Sequence, residues 1–240
     1  NALNFAYALY LRLRGNDQLT EGERSRIVKR WFVMTLLTGR ASGGFESIWE
    51  TDLRRINELG AAEYLRVIEE SELGEGFWEV ALLQELVSPS KRSPAFQIYL
   101  AARVSKGGRG FLSKSVNVAQ MIEGHGDMHH IVPKNYLIKN GYPKQWDYNQ
   151  IANFALTETP VNIAIKDHPP REYMAWVTEQ ARTGELCIGE ITDPADLASN
   201  LAENAIPDFI GEVTAQNYEA FLDARRKLMA GMIRAYYEAL

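Results

Sequence analysis

The chain has 240 residues, of which 46% are hydrophobic and 24% charged, and its formal net charge is −5 at pH 7. This composition is typical of a globular protein with a full hydrophobic core, and the negative charge argues against a general nucleic-acid coat. No apolar run approaches the roughly 18 residues of a transmembrane helix, and no secretory signal stands at the start, so we expect a cytoplasmic protein without a membrane partner. The single cysteine, Cys187, excludes an internal disulfide and is predicted to be a small core residue.

Helical patterns fill the first 105 residues. Helices are predicted at 2–14, from a capping box at Thr20 to Gly39, from Phe45 to Gly60, and at about 61–71, 76–88 and 94–105. We expect the aromatic residues of these helices, including Trp31, Trp49 and Trp78, to lie in the core. Because the chain opens on Asn1 within a helical pattern, we also expect it to be a fragment of a longer protein.

The middle of the chain is basic. Residues 103–171 carry nine basic and five acidic side chains, and this local excess could attract a phosphate backbone. Within it, the glycine-rich stretch 106–110 predicts an exposed linker. The stretch 134–150 is predicted to be a long loop in which lysines alternate with aromatic residues, a pattern that suits nucleic acid. A solvated loop face is the alternative interpretation.

Three of the four histidines lie between 125 and 130. The adjacent pair His129-His130 is predicted on a short strand. Such a pair is costly in a core, because each buried imidazole needs a polar partner. It suits a site in which one ring binds a metal and the other accepts a proton. A second strand is predicted over 151–157, and a helix over 160–167 carries Asn162 and Lys166.

The C-terminal part is predicted to be helical around a loop-rich stretch. Pro169-Pro170 could start a helix, residues 183–210 read as loops, and a final helix covers about 214–240. The cluster Arg225-Arg226-Lys227 on that helix predicts a solvated face, with contact to DNA as the alternative.

The order of His129-His130, Asn153, Asn162 and Lys166 resembles the HNH endonuclease motif, which is also called the ββα-metal or His-Me finger. The flanking segments are similar to the C-terminal part of GmrSD-type proteins, which are modification-sensing restriction and phage-defence nucleases. The segments that carry this second resemblance are Trp31-Phe32, Thr38-Gly39-Arg40, Tyr218-Glu219-Ala220-Phe221-Leu222 and Arg225-Arg226-Lys227.

The resemblance implies a mainly α-helical fold with a small ββα-metal insert, α+β overall. The expected regions are a helical region at 1–105, the nuclease motif at 106–175, and a C-terminal helical region at 176–240 that packs back on the first. The implied activity is metal-dependent hydrolysis of DNA phosphodiester bonds, in restriction of foreign or modified DNA.

The resemblance also implies roles for individual residues. His130 would be the general base, His129 and Asn162 would bind one divalent metal, and Asn153 would hold the loop that aims His130. Asp127 is a further metal candidate. His168 is another, and it could replace or assist Asn162. Mg²⁺ or Mn²⁺ is favoured over Zn²⁺, because Asn162 occupies a position where some family members carry His. The basic residues expected to contact DNA are Lys134, Lys139, Lys166 and Arg109.

The partners implied are DNA and an N-terminal nucleotide-hydrolysing sensor part of the same protein, which lies outside this chain. One site makes one cut, so double-strand cleavage would need a homodimer or two encounters. Two other functions stay open at this point. The chain could be a non-catalytic DNA-binding module that retains the HNH scaffold, or a structural zinc finger that serves protein contacts.

Overall fold

The computed structural model describes residues 1–240, apart from the side chain of residue 125. The chain divides into two compact units. The first comprises Asn1–Gln84 and Arg234–Leu240, and the second comprises Glu85–Ile233. The division therefore does not coincide with the expected boundaries at 105 and 175. Residues 85–105 and 176–233 belong to the same unit as the expected nuclease motif.

The helices of the first 105 residues lie close to their predicted positions. They are α1 (Ala2–Arg14), α2 (Glu21–Thr38), α3 (Phe45–Leu59), α4 (Ala61–Glu72), α5 (Leu82–Glu85) and α6 (Pro94–Ser105), with a π-helical turn at Phe77–Ala81 before α5. A short helix α7 (Val118–Gln120) and a π-helical turn at Met121–His125 follow, where no helix is predicted. The predicted capping box is confirmed, since Thr20 and Glu23 exchange side-chain and backbone hydrogen bonds at the start of α2. Among the residues described, no helix combines the length and the apolarity that crossing a bilayer requires.

The first unit is a helical layer with an aromatic core. The Trp31 ring lies 5.7 Å from the rings of both Phe5 and Tyr64, measured between centroids. Asp52 is buried, accepts a hydrogen bond from the Tyr64 hydroxyl at 2.9 Å and pairs with Arg40 at 2.6 Å. The prediction that Trp31 and Trp78 are core residues is confirmed, whereas Trp49 is only half-buried.

The second unit contains a small antiparallel sheet. Strand β1 (Asp127–His130) pairs with β2 (Phe154–Thr157), and His129 lies opposite Ala155 while His130 lies opposite Phe154. The remaining helices are α8 (Lys134–Lys139), α9 (Gln145–Tyr148), α10 (Thr159–Ile165), α11 (Pro170–Thr183), α12 (Pro194–Glu203) and α13 (Tyr218–Ala239), with 3₁₀ turns at Ile151–Asn153, Asp208–Glu212 and Ala215–Asn217. The chain is thus mainly helical with one small sheet, as the sequence predicts.

Three local predictions are wrong. The stretch 134–150 contains α8 and α9 instead of a long loop. Strand β2 begins three residues later than expected, because Ile151–Asn153 forms a 3₁₀ turn. The loop-rich stretch 183–210 contains α12, whose start is capped by Asp193 and followed by a proline at the first helical position. This Asp-Pro pair was the signal that could have revealed the helix.

The segment 106–110 is only partly an exposed linker, because Lys106 and Gly107 are exposed whereas the residues after them pack into the fold. Gly108 and Gly110 are buried, and a side chain at Gly110 would collide with Met121. The Gly110 N–H donates to Val116, and Phe111 N–H donates to Leu156 of β2. These contacts make the segment part of the scaffold beside the sheet.

Arg225 and Arg226 are buried, so the predicted solvated face holds only for Lys227. The Arg225 guanidinium donates to the carbonyl oxygens of Ala152 and Phe154 at 2.9 and 2.7 Å, and to Asn204 at 3.2 Å. Its charge is balanced by carbonyl dipoles that flank the start of β2. The hydrogen bonds of Arg225 therefore connect helix α13 to the start of β2.

Replacing Arg225 by methionine is expected to destabilise the second unit by at least about 2 kcal/mol, because it leaves buried carbonyl oxygens without donors. Chemical denaturation followed by circular dichroism measures this loss. The matched control is Lys227→Met on the exposed side of the same helix, which should stay within about 0.5 kcal/mol of the wild type. Equal stabilities of the two variants would contradict a supporting role for Arg225.

Candidate active site

The side chains of the two histidines in β1 point to opposite faces of the sheet. Consecutive side chains of a strand point to opposite faces, so His129 faces one environment and His130 another. His129 is 3% exposed, whereas His130 is only partly buried. The two imidazoles are therefore neighbours in sequence with separate chemical surroundings.

Asn153 fixes the end of β1. Its side chain is fully buried, accepts a hydrogen bond from Val132 N–H at 2.8 Å, and donates to the carbonyl oxygens of Val132 at 3.0 Å and Tyr148 at 3.2 Å. Its own carbonyl accepts from Ile131 N–H. The side chain thus ties the residues just after His130 to the start of β2. Its expected role in aiming His130 stays a prediction.

His129 meets Asn162 of α10. The His129 Nδ1 and Asn162 Oδ1 atoms lie 2.7 Å apart, and Asn162 Nδ2 donates to Asp127 at 3.3 Å. Because the carboxylate can only accept, it orients the amide so that Oδ1 faces the ring. The His129 proton then lies on Nδ1. The other nitrogen, Nε2, is buried without a hydrogen-bond partner among the described residues.

Burial keeps His129 neutral. Loss of hydration lowers its pKa from 6.5 to about 4, although the hydrogen bond to Asn162 and the charge of Asp127 act in the opposite direction. The ring also stacks on Phe111, with centroids 6.1 Å apart. A neutral imidazole is the form that a metal ion requires.

His130 lies in a different setting, between aromatic rings. Its Nε2 lies 2.8 Å from Asn149 Oδ1, an arrangement in which Nε2 carries the proton and Nδ1 keeps the lone pair. The ring meets Phe154 edge-on at 4.9 Å. Burial lowers the pKa of His130, and Lys91 and Lys134 lower it further, while the hydrogen bond to Asn149 opposes them. The ring is thereby a neutral base at physiological pH.

The other predicted site residues are scattered. His168 contacts Glu172 at 2.9 Å and the Trp176 ring at 4.7 Å, and it belongs to neither histidine's surroundings. Arg109 pairs with Asp196 and Glu203, so its charge is compensated within the fold, and its expected contact with DNA stays a prediction. Lys139 lies 3.7 Å from Asp167, and Lys166 is exposed at the end of α10. Cys187 is exposed instead of buried.

Sequence reasoning missed two neighbours of His130. Asn149 follows α9 and fixes the tautomer of the ring, and nothing in its local pattern distinguishes it from other loop residues. Lys91 lies in the turn before α6, far from the histidines in sequence. Only the folded chain brings it to His130.

Comparison of the chain with protein-family models, with curated proteins and with solved structures gave no match.

The Asp127, His129 and Asn162 side chains are the residues here that could hold a metal, and their oxygen and nitrogen donors suit Mg²⁺ or Mn²⁺ better than a soft metal. The imidazole nitrogen faces the amide oxygen, while the carboxylate faces the amide nitrogen. For Nδ1 of His129 to bind a metal, the ring proton would have to move to Nε2, and the hydrogen bond to Asn162 would be replaced by a bond to the metal. Among the described side chains, no group of three or more His, Cys, Asp or Glu residues is arranged to hold a metal. A site here would therefore depend on the Asn162 amide and on solvent or phosphate oxygens.

Replacing Asn153 by alanine is expected to destabilise the second unit by about 2–4 kcal/mol, because buried groups of Val132 and Tyr148 lose their partners. Thermal or chemical unfolding measures the change. Asn135→Ala provides the control, since Asn135 is exposed and makes one long contact at 3.4 Å. A loss as small as that of the control would contradict the tying role.

In metal-free buffer, His129 should make stability depend on pH. Its folded pKa of about 4 lies below the ordinary value of 6.5, so the unfolded chain takes up a proton first as the pH falls. The stabilisation is complete above pH 6.5 and is lost as the pH falls towards 4. Between pH 7.5 and 5 this amounts to about 2 kcal/mol, measurable by urea denaturation with EDTA present.

The His129→Gln variant should lack this part of the pH dependence, whereas His168→Gln should retain it. Identical pH profiles for the wild type and His129→Gln would show that the folded protein protonates this ring at its ordinary pKa.

Proposed function

We propose that the chain is a metal-dependent endonuclease of the HNH type, which cleaves or nicks DNA by phosphodiester hydrolysis. The observation that carries the proposal is the pair His129-His130 on one strand, with each ring held neutral on its own side of the sheet. His129 contacts Asn162, which in turn donates a hydrogen bond to Asp127. The positive charges of two lysines act on His130. The pairing of β1 with β2 and the position of α10 support the proposal, since α10 directly follows β2 and brings Asn162 to His129 of β1, while α8 and α9 lie between the two strands in the chain.

His130 acts as the general base in this proposal. Its Nδ1 lone pair removes a proton from a water molecule as the water oxygen attacks phosphorus and the P–O bond to the 3′-oxygen breaks. Asn149 holds the ring through Nε2, and Asn153 holds the backbone that follows it. Both contacts aim the ring, and neither asparagine needs to touch the substrate.

His129 and Asn162, with Asp127 beside them, would hold one Mg²⁺ or Mn²⁺, which supplies electrostatic stabilisation of charge on the phosphoryl and leaving oxygens. The protein's contribution is a neutral imidazole and an amide oxygen whose orientation is set by a carboxylate. Donors of this kind favour a hard cation. The ligand set of a structural zinc finger is instead rich in cysteine and histidine.

The biological setting rests on the resemblance to GmrSD-type proteins. In that setting the DNA is foreign or modified, and a nucleotide-hydrolysing sensor part of the same protein governs the nuclease. A DNA-binding module that retains the scaffold without catalysis is the second candidate, and the following experiment separates the two.

Incubation of supercoiled plasmid with the protein and Mg²⁺ or Mn²⁺ should give nicked or linear DNA, and EDTA should prevent it. His130→Ala should lower the rate by at least about 100-fold, which is the usual contribution of a general base. The control is His168→Ala, because that ring lies with Glu172 and Trp176. Binding of DNA without nicking by any form would favour the non-catalytic module, and loss of the fold on chelation would favour structural zinc.

A further inference from the structure

Two lysines flank His130, each above an aromatic ring that itself touches the histidine. The Lys91 Nζ atom lies 5.0 Å from the centroid of Phe154, and Lys134 Nζ lies 5.1 Å from that of Tyr148. These two rings lie 4.9 and 6.2 Å from the His130 ring. Cation–π contacts of this kind favour positions of the ammonium groups above the rings. Both charges are therefore held near one imidazole.

The turn that carries Lys91 is fixed to the sheet region. Ser88 accepts a hydrogen bond from Ile151 N–H at 2.8 Å, just before β2. Gln97 Nε2 donates to the Lys91 carbonyl at 2.7 Å, and Ser93 caps the start of α6. The turn is thus anchored on both sides of Lys91, and its placement beside His130 is a property of the fold.

Neither lysine has a counter-ion. Both are exposed, and among the described residues no carboxylate lies within ion-pair distance of either ammonium group. Arg109, in contrast, forms ion pairs with Asp196 and Glu203, and Lys139 forms one with Asp167. The neutral His130 and Asn149 supply no negative charge. The surface around His130 is consequently an uncompensated cationic patch that can attract an anion.

We propose that Lys91 and Lys134 form a two-lysine phosphate clamp, which binds the phosphodiester backbone of a polynucleotide on either side of His130. The substrate class rests on the proposed function, while the phosphate chemistry rests on the two uncompensated ammonium groups. Lysine is a point-charge donor suited to phosphate oxygens, and its flexible stem can leave the ring when an anion arrives. One residue of the clamp, Lys91, lies outside the ββα segment.

The clamp can be measured without catalysis. Binding of a short fluorescent DNA duplex is followed by anisotropy at several salt concentrations in buffer with EDTA. Lys91→Gln and Lys134→Gln should each weaken binding and reduce the slope of log affinity against log salt by about 0.9, the value for one lost phosphate contact. Lys91→Arg should retain the slope. Lys114→Gln, an exposed lysine of the same unit, is the matched control and should change it little.

Inorganic phosphate provides the second arm. In the wild type it should shift the backbone amide NMR signals of Lys91, Lys134 and Asn149, and the double variant should lose these shifts. Unchanged slopes in Lys91→Gln, or phosphate shifts located elsewhere, overturn the clamp. Phosphate shifts at these residues with unchanged DNA binding would overturn the polynucleotide as its ligand. Loss of DNA binding in the lysine variants, together with a wild type that nicks no plasmid, would leave the clamp standing and refute the nuclease.

Discussion

The candidate site depends on the hydrogen bonds between the Asn153 side chain and the Val132 backbone. A four-residue strand has few ladder bonds of its own, and two short strands alone are marginally stable in water. The Asn153 amide satisfies both polar groups of Val132 within a buried setting, where an unpaired group would be costly. This fixes the chain immediately after His130. This constraint adds to the pairing with β2 and to the hydrogen bonds that Asn162 and Asn149 make with the two rings.

Arg225 provides a second constraint, which acts on the start of β2. Carbonyl groups of Ala152 and Phe154 flank Asn153, and the guanidinium donates to both. A buried cation without a carboxylate is expensive, and here several carbonyl dipoles and a hydrogen bond to Asn204 offset the desolvation. The start of β2 is thus held by the side chain of Asn153, which directly precedes the strand, and by that of Arg225 from α13. Arg225 accordingly lies in the same compact unit as the site.

The sequence predicted what local chemistry determines. The capping box of α2, the strand containing the histidine pair and the helix containing Asn162 all depend on residues close together in the chain, and the structure has each of them. Burial of Arg225, the ion pairs of Arg109 and the approach of Lys91 to His130 depend on contacts between residues far apart in sequence. No pattern in a single chain encodes such contacts, and charged clusters usually signify solvated surface. The error on Arg225 therefore follows from contacts between distant parts of the chain, whereas the loops expected at 134–150 and 183–210 are errors in reading local patterns.

Burial is the main reason that both histidines are neutral, but the charges beside the two rings have opposite signs, and this difference bears on their chemistry. His129 is neutral because water is excluded, so a cation can be accommodated beside it only if Asp127 and Asn162 compensate its charge. His130 is partly buried too, but the charges that act on it are lysines, and a bound phosphate would oppose their effect. An anionic substrate near Lys91 and Lys134 would then make the His130 ring a stronger base as it arrives. In the free protein, burial and the two lysines both favour the unprotonated form of the His130 ring.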